Sequence, residues 1–73
     1  MRAVGVRIVT ARLRLELARR GWGHADLARI AVISAPTVSA AMAGRPLAPR
    51  TVRRIAEALS EATVIEGIDA LLV

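Results

Sequence analysis

Residues 24–44 read HADLARIAVISAPTVSAAMAG, and the side chains best placed for chemistry are in and just after this stretch. It has the layout of two short helices joined by a tight turn. On a helical wheel, Ser34, Val38, Ala41 and Met42 are expected to point towards the protein, with Ala35, Pro36, Ser39, Ala40 and Ala43 on the opposite face. That outer face offers the Ser39 hydroxyl, a flanking hydroxyl at Thr37, and alanine methyls that can touch thymine methyls. It carries no Asn, Gln or Arg, so it makes no bidentate contact to a base edge. Arg45 follows the second helix, and Arg50, Arg53 and Arg54 begin the next one, where guanidinium groups and helix-start amides suit phosphate. On 73 residues with a formal net charge of +5, this is how a protein would present a helix to the major groove of duplex DNA. Discrimination would then come from van der Waals fit, arginines at the edges and DNA shape. The same residues also read as a small solvent-exposed helix followed by a solvated arginine face, with Arg53 paired to Glu57.

Other chemistries find little support. Cysteine is absent and there is one histidine, so disulfides and thiolate metal sites are excluded and a zinc site is not expected. His24 has Asp26 and Glu16 as its nearest acids in sequence, but no nucleophile or metal constellation accompanies it. No catalytic residue, metal, cofactor or small-molecule ligand is expected, and an enzyme is the least favoured class. All 11 basic residues are arginine, a bias that coding from GC-rich DNA also explains. The positive balance itself favours polyanions, whether nucleic acid or an acidic membrane surface. The longest charge-free run, Ile30 to Gly44, is shorter than the roughly 20 residues of a bilayer span. The start, MRAVGVRIVT, has too short an apolar stretch to be a signal peptide. The expectation is a soluble cytoplasmic protein of one domain, residues 1–73. A chain this short buries roughly 60% of its unfolded surface, so a partner subunit would help its stability.

These residues need helices to position them. Val4 to Val9 reads as a short strand or extended arm. Thr10 is expected to cap a helix running to about Arg20, with Gly21 as its stop and an Arg12–Glu16–Arg20 ladder on its surface. A second helix spans about His24 to Ala31, with Leu27, Ile30 and Ala31 inward and Asp26 offsetting its dipole. Ser34 is the expected N-cap of the third helix, which has Pro36 in its first turn and ends at Gly44. A loop at 45–48 leads to a fourth helix, Pro49 to about Ser60, with Val52, Ile55, Ala56 and Leu59 as its buried stripe. Trp22 reads as a core anchor between the first two helices. The core spans 10–60. The apolar segment 61–73 reads either as packing on its own chain or as a dimer contact, with a strand at Thr63 to Ile65 as one form.

Residues 12–59 together resemble the Cro/repressor-type helix-turn-helix family of bacterial and phage regulators. The resemblance is carried by RLRLELARRGW, LARIA, the Ile33–Ser34 turn exit, TVS at 37–39, Gly44 and RTVRRIAEAL at 50–59. It implies an all-α, compact, lambda-repressor-like domain of four or five helices, with short terminal strands as an option. It also implies a homodimer bound to double-stranded DNA, nucleoid-associated or in the host cytoplasm if phage-encoded. Contacts are then expected from His24, Ala35, Pro36, Thr37, Ser39, Ala40, Arg45, Arg50 and Arg53. Two positions depart from the family pattern. Val32 stands where glycine with positive φ is usual, so the turn is either strained or of another geometry. His24 stands where a phosphate-touching Gln is common, which would make that contact sensitive to pH.

Overall fold

The structure, a computed structural model, describes residues 5–62, and within them the chain is all-α. The helices are α1 (Thr10–Arg20), α2 (His24–Ala31), α3 (Ala35–Met42) and α4 (Pro49–Glu61). None is both long and apolar enough to cross a membrane. Each helix contributes apolar residues at helical spacing to one core. The core comprises Leu13 and Leu17 from α1, Leu27 and Ala31 from α2, Val38, Ala41 and Met42 from α3, and Ile55 and Ala58 from α4, joined by Leu47 from the loop. Trp22 packs against this core partly buried, as a helix-joining anchor should.

Some expected side-chain directions need correction. Ile30 is exposed, because α2 buries its Leu27–Ala31 edge instead. On α4 the buried pair is Ile55 and Ala58, while Ala56 faces out and Val52 and Leu59 are half-buried. The α4 arc is therefore rotated from the expected stripe towards Ala58. Thr10 is the first helical residue and not a cap. Val9 occupies the N-cap without any side-chain bond.

No strand forms among the described residues. The expected N-terminal strand is one antiparallel bridge between Val6 and Leu47, closed by Val6 N–H donating to Leu47 O (2.7 Å) and Leu47 N–H to Val6 O (2.8 Å). The ladder stops there because its next donors are missing. Arg45 N–H is already given to Ala40 O at 2.9 Å, and Pro49 has no N–H. Gly5 lies against Pro46 so closely that a Cβ there would collide with the proline ring. The expected C-terminal strand lies outside the described residues.

Three helices end on the same device, a left-handed residue that lets the following N–H groups reach back to the last carbonyls. After α1, Gly21 (φ 71°) allows Trp22 N–H to reach Leu17 O at 2.9 Å. After α3, Gly44 (φ 74°) allows Arg45 N–H to reach Ala40 O. After α2, the left-handed residue is Val32 (φ 57°, ψ 53°), and Ile33 N–H reaches Ala28 O at 2.9 Å. The turn thus keeps the geometry that glycine usually supplies, with a β-branched residue held in it. Left-handed backbone costs an L-residue about 1–2 kcal/mol, and the Val32 side chain is 71% exposed, so it regains little by packing. Val32→Gly is expected to stabilise the fold by about 0.5–1 kcal/mol once glycine's unfolded-state entropy is subtracted. A rise of a few degrees in thermal midpoint is the expected reading.

The ladder on α1 is present and larger than its spacing implies, but only its Arg12 end is at the surface, while Glu16 and Arg20 are largely covered. Glu16 accepts from Arg20 Nη1 (2.7 Å), Arg12 Nε (2.9 Å) and Arg19 Nη1 (3.2 Å). Chiefly the Arg20 hydrogen bond, then the charge of Arg19 and the Arg12 bond, outweigh partial burial and hold the Glu16 carboxyl below its ordinary value. A carboxylate lowered by folding stabilises the native state above its unfolded pKa, and that contribution disappears as pH falls through the folded value. Stability measured by urea titration should therefore decline on acidification below pH 4.5, the ordinary value for this group, and decline less steeply in Glu16→Gln.

Candidate nucleic-acid interface

The α2–α3 pair is built from its caps outward. The N–H of Gly23 donates to the Asp26 carboxylate at 2.8 Å, half of a capping box, and Arg29 Nη2 donates to the same carboxylate at 3.0 Å. These bonds, the backbone one first, hold Asp26 below its ordinary pKa. His24 is the first residue of α2 and is exposed. The chain then turns through 118° between α2 and α3. Ser34 caps α3: its Oγ accepts from Thr37 N–H at 3.2 Å and lies 2.7 Å from Thr37 Oγ1. The cap exposes Ser34, where an inward direction was expected, and it engages the Thr37 hydroxyl, leaving Thr37 half-buried.

On α3, Val38, Ala41 and Met42 are buried as their spacing predicts. Ala35, Pro36 and Ser39 are exposed, as is Ala43 just beyond the helix, so these four form an outer surface of small residues. Ala40 does not belong to it, because it is half-buried and packs against the core. Its carbonyl instead receives the Arg45 N–H, which fixes Arg45 just past the end of α3.

The described arginines divide into two groups. Arg12, Arg19 and Arg20 converge on Glu16, Arg29 pairs with Asp26, and Arg54 Nη1 donates to Val32 O at 3.0 Å. Arg7, Arg14, Arg45, Arg50 and Arg53 are exposed and make no hydrogen bond or ion pair among the described residues. Arg53 in particular does not pair with Glu57. Three of these five uncommitted cations, Arg45, Arg50 and Arg53, thus follow α3 within eleven residues of its end. Arg50 and Arg53 lie three apart on α4, which places them on one helical face. The bridge sets Arg7 opposite Pro46, next to Arg45 in the loop. Sequence reasoning did not single out Arg7, because pairing between positions 6 and 47 has no local signature. It also grouped Arg54 with its neighbours, since no short-range spacing reports a bond across 22 residues.

Compared with known proteins, the chain matches no family model, no curated protein and no solved structure. The functional reading therefore stands on this chain's own residues and geometry.

Proposed function

We propose that this chain is a sequence-specific, double-stranded-DNA-binding transcriptional regulator of the helix-turn-helix type, with α3 entering the major groove. The observation that carries the proposal is the α2–α3 pair. A three-residue turn (Val32–Ser34) and a 118° bend fall within the geometry of helix-turn-helix units, whose helices meet at about 90–120°. Support comes from the exposed residues Ala35, Pro36, Ser39 and Ala43 and from the uncommitted Arg45, Arg50 and Arg53 that follow them. In this reading Ser39 and the alanine methyls meet base edges, the arginines hold phosphates, and His24 donates to a phosphate at the start of α2. Thr37 contributes through its cap to Ser34, and Ala40 through core packing. A homodimer would set two such helices on half-sites one DNA turn apart, with Val6 and Val9 of the arm exposed to a second copy.

The test is selection of bound duplexes from a random library with the purified protein. Enrichment of a common, two-fold-related motif is the expected result. Binding to neither the library nor DNA upstream of the chain's own gene, together with a stable heteromeric complex on pull-down, would replace this reading with that of a protein-interaction module.

A further inference from the structure

We infer that Arg54 is a positioning residue: it clamps the left-handed Val32 turn from α4 and so sets the direction of α3. The inference rests on the DNA-binding reading for its consequence, but not for the clamp itself. Three observations carry it. Val32 is the only non-glycine residue with positive φ among those described, in a conformation disfavoured about 5- to 30-fold for an L-residue. Its side chain is mostly exposed, so packing does not hold it there. Its carbonyl accepts the Arg54 guanidinium at 3.0 Å from the middle of another helix. Glu57 and Glu61 line the same cleft beside Ile30, Val32 and Arg54, yet Arg54 pairs with neither carboxylate and donates to the turn carbonyl. Arg54 is thereby set apart from Arg50 and Arg53, which stay free for an outside anion.

The consequence is mechanical. α3 starts three residues after Val32, so a change of φ and ψ at this one position swings the whole helix. A helix that must enter a groove loses contacts when misplaced by about 1 Å. Releasing the clamp lets Val32 leave the left-handed region. Glycine occupies that region about as readily as its mirror and needs the clamp less.

The experiment compares Arg54→Ala, Val32→Gly and the double variant, with Arg53→Ala as the neighbour control. Unfolding constants come from urea titration. Affinities and salt slopes are measured on a duplex selected from the random library, at a temperature where every variant is folded. Arg54→Ala is expected to raise the unfolding constant about fivefold alone and by less than about twofold in the Val32→Gly background, a non-additivity that marks coupled residues. It is expected to weaken duplex binding about tenfold with the salt slope unchanged, and Val32→Gly should restore most of that loss. Arg53→Ala should instead lower the slope by about 0.9, as the loss of one phosphate contact does. Additive unfolding effects overturn the clamp. A slope reduced by Arg54→Ala overturns it in favour of direct phosphate contact. If the wild-type protein selects no duplex, the DNA reading fails, and the unfolding cycle alone still decides for or against the clamp.

Discussion

Arg20→Ala is expected to destabilise the fold by about 2–3 kcal/mol, a 30- to 150-fold rise in the unfolding constant. The side chain is 9% exposed and its partner Glu16 is 14% exposed, so removing one leaves the other's polar atoms short of partners in a largely buried place. Arg20 also gives Nε and Nη2 to Leu59 O, at 3.1 and 2.8 Å, and Nη1 to Glu16 O at 2.9 Å. One guanidinium thus ties the end of α1 to a last-turn carbonyl of α4, a carbonyl the helix itself leaves unsatisfied. Glu16 would keep Arg12 and Arg19, so the loss stays below the largest known for broken buried pairs. At 73 residues a folded chain has about 4–11 kcal/mol of stability in all, so the thermal midpoint should fall by about 10–20 °C. Arg20→Lys should recover less than half of the loss, because an ammonium cannot present a planar fork to a carboxylate and a carbonyl together.

The second large effect concerns binding. The triple substitution of Arg45, Arg50 and Arg53 by alanine is expected to reduce the salt slope of duplex binding by about 2.7, at about 0.9 per phosphate contact. At 0.15 M salt that corresponds to roughly a 100-fold loss of affinity, shared by specific and random duplexes alike. All three side chains are exposed and uncommitted, so the fold should be unharmed and the thermal midpoint nearly unchanged. Arg14 is equally free but lies on α1, before the α2–α3 pair. Arg14→Ala therefore serves as the control, and an equal effect per charge there would reduce the interface to a generic cationic surface.

Much of the fold was legible because local signals agree. Gly21 and Gly44 stop their helices by left-handed backbone, Ser34 caps α3, and the small and apolar residues of α3 alternate at helical spacing. Direction was less legible wherever two arcs of one helix were both apolar. On α4, Ala56 and Ala58 are chemically identical, and only packing against α2 decides that Ala58 is buried. On α2, Ile30 is the larger residue, yet the neighbouring Leu27–Ala31 edge faces the core. Nothing in the loop sequence marks Leu47, although its burial and its bridge to Val6 anchor that loop. At the candidate site the free cations at 45, 50 and 53 could be read, whereas Ala40 could not be told from its exposed neighbours. The turn at Val32 left two geometries open, and the left-handed one is present. Its clamp by Arg54 is a contact between distant segments, which no periodicity encodes.

The most direct measurement is a map of amide chemical shifts in the free protein and bound to a duplex selected from the random library. The largest shifts should fall on Ala35, on 37–39 and on 43–45, with further changes at Arg50, Arg53 and the α2 start near His24, and little change along the middle of α1. Shifts concentrated on α1, or none at saturating duplex, would contradict the claim that α3 and its following arginines form the DNA-binding surface.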